Sequence, residues 1–327
     1  WHAVWLLPVV LVTLVLATMW WWDKEPAPFE PREAARALVK ATAQANVTGA
    51  TTTATLIESV RTLLDKRGGY LSNDMLSPAV FMDNVPNWEF GALTASRDLV
   101  RSLRNEFSRS QSQSTEDADL AEADPLLNSP NDRWLLPSSE GQYGKAIQHL
   151  DSYLVRLTNG SGKGEFYARA DNLADYLQLA SSRLGSLSQR LSASVGQISL
   201  PNPATAGSVV PHGLAMFKDE NGVTRVKTPW SKLDDNFYEA RGYTWALMLQ
   251  LKAFQTDFAQ VLAKKNAAVS LDQVIRELEE AQHPLGSPVV LNGSPFGFFA
   301  NHSLVMANYV SRANAALIDL RALLQRG

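Results

Sequence analysis

LADYLQLASSRLGSLSQRL, residues 173–191, is the stretch from which the fold can be read. Leu173, Leu177, Ala180, Leu184, Leu187 and Leu191 follow one another at intervals of four, three, four, three and four. On a helix that heptad spacing lines one narrow apolar stripe, and such a stripe needs a partner helix to cover it. The helix is predicted over roughly 165–195, with Gly196 as its stop.

Two other stretches repeat the pattern. Thr228 as N-cap and Pro229 in the first turn open a helix to about Asn266, whose stripe runs from Leu233 through Phe237, Leu247 and Phe254 to Val261. Near the C-terminus Asn301 or Ser303 caps a helix with Met306, Val310, Leu317 and Leu324 on one side. Three long helices with matching seams imply an all-α, antiparallel bundle. One β signal interrupts it: 215–218 and 223–227 flank Asn221-Gly222, a pair suited to a tight hairpin turn.

Shorter helices fill the first half. One is expected from Pro31 to Ala45, one carries Leu56, Val60 and Leu63 after a weak threonine-rich run at 48–55, and one starts at Asn87 and ends near Ser108. Ser139 with Gln142 forms a capping box for a helix through Ile147 and Leu157, and Ser270 with Gln273 forms another. Residues 109–124 are polar and read as a solvated loop.

Upstream of all this lies WHAVWLLPVVLVTLVLATMWWW, residues 1–22, with no charged side chain except a protonatable His2. At about 1.5 Å per residue it covers roughly the hydrocarbon thickness of a bilayer, and Trp20, Trp21 and Trp22 stand where an interfacial aromatic belt belongs. It is read as a single transmembrane anchor, not a cleaved leader, because no small-residue cleavage site precedes the tryptophans. Residues 23–50 are then a proline-containing spacer with the first helix, and 51–327 a helical domain. The flank after Trp22 holds only Lys24 and Arg32 as basic residues through Glu33, which places the body outside the cytoplasm. The three prolines at 26, 28 and 31 suggest a stiff spacer lifting the body off the membrane.

Composition excludes several classes. The net charge is −3, from 30 Lys and Arg against 33 Asp and Glu, so no global field draws nucleic acid. Cysteine is absent, which removes disulfides, thiolate metal sites and Cys nucleophiles. Gly160-Ser161-Gly162-Lys163-Gly164 lacks both the leading glycine and the Ser or Thr of a phosphate loop, and reads as a turn. The best acidic constellation is Asp234, Asp235 and Glu239, with His212 or His302 as possible companions for a hard metal or for acid–base work. Negative charge in the first turns of a helix, paired with Lys232 or Arg241, explains the same residues without chemistry. No cofactor is implied.

Several segments carry a resemblance: GGYLSNDMLSPAVFMDNVPNWEFG from Gly68, FSRSQSQS from Phe107, FYARADNL from Phe166, RLGSLSQRLSASVG up to Gly196, and FFANHSLVMANYVSRANAALIDL from Phe298. They are similar to a proteobacterial inner-membrane family catalogued as domain of unknown function two-three-three-three. The resemblance implies a single-pass inner-membrane protein with a periplasmic helical body, and it supplies no catalytic residues. The function expected is therefore non-enzymatic: a membrane-anchored structural or adaptor protein, with the lipid bilayer, further copies of itself and other envelope proteins as partners. An envelope hydrolase built on the acidic residues and a ligand-sensing body are the alternatives.

Overall fold

The computed structural model describes residues 2–39, 47–110, 115–160, 164–198, 215–218 and 224–326. Among them the helices are α1 (His2–Trp22), α2 (Pro31–Leu38), α3 (Ala50–Asp65), α4 (Asn84–Ser102), α5 (Ala118–Leu127), α6 (Ser139–Thr158), α7 (Ala170–Ser192), α8 (Leu233–Asp257), α9 (Ala259–Lys264), α10 (Ala268–Glu280) and α11 (His302–Gln325). A small antiparallel sheet joins β1 (Gln197–Ile198), β2 (Ala215–Lys218) and β3 (Thr224–Lys227) in the order β1-β3-β2. The fold is all-α with a small strand insertion. The Asn221-Gly222 turn, the Gly-rich run at 161–163, His212 and the expected end of the first helix at Ala45 lie outside the described residues.

The seam of α7 is covered as its spacing requires. All six seam positions are buried, and α11 lies along them. Ser181 donates to Asn314 at 2.7 Å and the Ser188 and Ser311 hydroxyls meet at 2.5 Å, so rising numbers on α7 face falling numbers on α11: the pair is antiparallel. The stripe of α8 behaves differently. That helix is buried nearly all round, because α3, α4, α7, α10 and α11 all pack on it. Its closest partner, α4, runs parallel to it: Asn87 meets Asp235, and Gln250 bonds the Ala95 carbonyl at 3.1 Å. The antiparallel bundle thus contains a parallel central pair, which a stripe read as one-sided does not anticipate.

At that crossing no side chain separates the backbones. A Cβ on Gly91 would lie 2.0 Å from the Glu239 carbonyl oxygen, and one on Gly242 would lie 1.9 Å from the Trp88 carbonyl oxygen. Further along, Phe107, Phe166, Tyr176, Phe254 and Phe258 form one aromatic cluster of edge-to-face and tilted pairs.

Several boundaries move from their expected places. The threonine-rich run is helical and starts α3, with the Thr53 and Thr55 hydroxyls donating to carbonyls four residues back. Its N-terminus is capped from another element: Asp257 Oδ2 accepts from Thr52 N and Oγ1, both at 2.7 Å. Residues 109–124 are not all loop, since Asp117 caps α5 by accepting from Asp119 N and Leu120 N, and Arg156 pairs with Asp117 and Asp119. The cap of α6 is Ser138; Ser139 instead donates to the Pro130 carbonyl. Thr228 does not cap α8: Trp230–Lys232 form a short 3-10 turn first, and Thr228 donates to Arg190 O. The helix expected to run to Asn266 breaks at Phe258 between α8 and α9. Ser270 lies inside α10, whereas Asn301 caps α11 by accepting from Leu304 N.

Among the described residues no helix is long and apolar enough to cross a membrane; the described side chains of α1 start at Pro8. From Val9 to Leu16 its valines and leucines are largely exposed. The segment after α1 does not stand free as a spacer. Asp23 accepts from Asn84, Glu25 forms an ion pair with buried Arg241, and the Phe29 ring meets Trp245 edge-on at 6.0 Å.

Candidate functional site

Three places bear on function: the end of the body from which α1 emerges, the acidic start of α8, and a cleft beside it. At the first, Trp22 packs with Leu71, Ala79 and Val85. Gly68, with φ +81°, is where a Cβ would lie 2.7 Å from the Trp22 ring, so this turn needs glycine for both its conformation and the space. Trp20 and Trp21 face outward, each under a cation: Lys24 Nζ is 4.1 Å from one ring centre and the Arg67 guanidinium 4.4 Å from the other. The loop beneath Trp22 is held by Glu89, fully buried, which pairs with Lys66 and accepts from Leu71 N and Ser72 N at 2.8 Å each. Burial pushes the Glu89 carboxyl up, and Lys66 opposes the shift.

The three acids at the start of α8 are divided among different partners. Asp235 accepts from Lys232 Nζ at 2.7 Å and from Asn87 Nδ2 at 3.0 Å. Glu239 forms a two-pronged pair with Arg190 on α7, at 2.6 and 2.5 Å. Asp234 accepts from the Asp235 amide, and burial raises its pKa. Arg241, expected beside them, is bound instead to Glu25 and to the carbonyls of Ala281 and His283. His302 accepts from the Leu291 amide at 3.0 Å next to Phe237. Among the described residues no three metal-ligating side chains form a group.

Glu239 leads into the third place. The Arg190–Glu239 pair forms one wall of a cleft of about 540 Å³ between α4, α7 and α8. Arg97 and Arg101 enter from α4, Arg183 and Arg190 from α7, and the carboxylates among its lining residues are Asp98 and Glu239. Arg183 grips Asp98 through Nε and Nη2 at 3.0 and 3.1 Å. Arg97 has no carboxylate partner among the described residues; its guanidinium donates to the carbonyls of Leu127 and Ser129, both at 2.7 Å, and so closes the end of α5. Arg101 is exposed and makes no hydrogen bond or ion pair among the described residues. The floor is Tyr243, 2% exposed, whose hydroxyl lies beside Asp98 without a hydrogen bond in good geometry. Burial, then the Asp98 charge, holds that phenol well above its usual pKa.

A family described as an uncharacterized protein conserved in bacteria, DUF2333, matches residues 1–327. The chain belongs to this family. No curated protein and no solved structure matches it. Family membership agrees with the resemblance carried by the Gly68, Phe107, Phe166 and Phe298 segments and assigns no role to any residue, so the site rests on its own geometry.

The sequence reading missed the four arginines. A signal was there: Arg97 and Arg101 are one turn apart on a single helix, and Arg183 and Arg190 one heptad apart beside the α7 seam. What the sequence did not supply was the parallel α4–α8 pair that brings the two sets to one cleft.

Proposed function

We propose that this protein is a structural or adaptor component anchored in the bacterial inner membrane by α1, with its body outside the cytoplasm and resting on the bilayer, and that it works without catalysis through association with further copies or other envelope proteins. One observation carries the reading: loops that adjoin the place where α1 leaves the body carry large exposed apolar side chains. Leu76 and Phe81 project from the loop that holds Trp22. Trp134 to Leu136 lie on the neighbouring loop, tied to the first where Asn73 donates to the Arg133 carbonyl at 3.0 Å. Pro284 and Pro288 line a cavity with Trp20, and the same connection continues to Phe296 and Phe298, both almost fully exposed.

Such a collection in water would be an aggregation hazard, whereas at a headgroup layer aromatic side chains are favoured. The apolar run of residues 1–22 and the Lys- and Arg-poor flank after it supply the span and the orientation. Confinement to a plane raises the effective concentration of neighbouring bodies and so favours self-association. The test is a pair of reporters fused after Gly327, one active only outside the cytoplasm and one only inside. Activity of the first alone is expected; activity of the second refutes the orientation, and extraction of the chain by alkaline carbonate refutes the anchor.

A further inference from the structure

We infer that the cleft between α4, α7 and α8 binds a small organic molecule carrying a phosphate dianion. Charge is the first argument. The lining residues include four guanidinium groups and two carboxylates, Asp98 and Glu239, which leaves a surplus of two positive charges in a space of about 540 Å³. That volume is in the range of pockets that enclose one small ligand. Outside the lining, Glu106 lies close enough to Arg101 to feel its charge, and burial followed by Asp175 pushes the Glu106 carboxyl up to about 6.

Donor geometry is the second. Arg183 uses Nε and Nη2 on Asp98, Arg97 uses Nε and Nη2 on backbone carbonyls and Tyr143, and Arg190 uses Nη1 and Nη2 on Glu239 and Asn236. Among the described residues this leaves Nη1 of Arg183, Nη1 of Arg97, Nε of Arg190 and the whole of Arg101 without hydrogen-bond acceptors. Guanidinium N–H groups from two helices match the oxygens of a phosphate far better than a point ammonium does. The bound pairs serve a purpose in this arrangement: Asp98 and Glu239 hold Arg183 and Arg190 in place before any ligand arrives, which lowers the ordering cost of binding.

The apolar part of the lining is the third argument. Phe90 and Leu187 on the walls give the organic part of the molecule an apolar surface. A metal cation is disfavoured by the same four guanidinium charges.

This inference is independent of the membrane reading. The test uses the full chain in mild detergent and titration calorimetry with pyrophosphate, inorganic phosphate and succinate. Saturable binding of the two phosphates is expected, with succinate at least tenfold weaker and all binding weakened as salt rises. Arg101→Gln should weaken pyrophosphate at least tenfold, and Arg101→Lys should fall between. Arg101 is exposed and free of hydrogen bonds among the described residues, so its replacement should leave the melting temperature unchanged without ligand, which separates loss of binding from loss of fold. A water-soluble short-chain phosphatidic acid distinguishes a lipid headgroup from a soluble phosphate ester: whichever competes more tightly with pyrophosphate names the source. Failure of both phosphates to bind at about 10 mM, equal binding of succinate, or unchanged affinity in Arg101→Gln overturns the proposal.

Discussion

Gly91 and Gly242 let α4 and α8 touch backbone to backbone, and the parallel pair cannot form in this register with anything larger at either position. Alanine at Gly242 must push the helices apart or distort them, at a cost of about 1–3 kcal/mol. Chemical unfolding of the detergent-solubilised protein measures this; an unchanged midpoint contradicts the crossing. Glu106 offers a test of the opposite sign. Its carboxyl titrates near 6 in the folded state because burial, then Asp175, disfavours its charge, so the folded state holds this proton more tightly than the unfolded chain does. Stability from this group is present below the unfolded carboxyl value of about 4.5 and is lost as pH rises through 6. Glu106→Gln, neutral throughout, should therefore stabilise the protein at pH 7.5 by on the order of 1 kcal/mol, reduced from the full shift because the group is half in solvent, and by nothing measurable at pH 4. Melting curves at the two pH values decide it, and an equal effect at both excludes the titration.

Among the elements, α7 and α11 form the pair that the sequence describes best. Leu184 is at the middle of the seam and fully buried, so Leu184→Ala should cost about 2–5 kcal/mol by leaving a cavity. A loss below about 1 kcal/mol indicates that the seam is not the packed surface described. The seam was legible because an i, i+3, i+4 pattern needs only the helix's own periodicity. α8 was legible as a helix but not as a centre: a helix buried on nearly all sides shows a stripe only where large residues happen to align. α3 and α5 were harder, since what stabilises their starts comes from far away in the chain. Asp257 caps α3 across 205 residues, and Arg156 reaches α5 across 39. The same holds for the candidate cleft, where Glu239 was visible as an acid near a helix start while its partner Arg190 is 49 residues distant.

For the whole molecule, the absence of cysteine permits a direct test of the proposed contact between the body and a bilayer. A single cysteine at Phe298, carrying an environment-sensitive dye and reconstituted in vesicles, should show blue-shifted emission and quenching by brominated lipid, and one at exposed Val269 on α10 should show neither. Equal quenching at both sites refutes the apposition. Association is tested by mass in mild detergent after subtraction of bound detergent, where a species at a multiple of the single-chain mass is expected and a uniform monomer refutes self-association.

The junction behind Trp22 gives the molecule a stiff neck. Trp22 is seated against Leu71 and Val85, Asp23 is bonded to Asn84, and Glu25 is clamped by Arg241, so three successive ties connect α1 to the body. A helix anchored as proposed can spin about its axis and lean, and through this neck each such motion becomes a turn or a lean of everything attached. On the proposed anchoring, the azimuth of α1 sets which flank of the body is presented to a neighbour in the plane of the bilayer. A torque applied to one part is felt by the other, so a pair of glycines inserted after Trp22 should uncouple the two while leaving each intact.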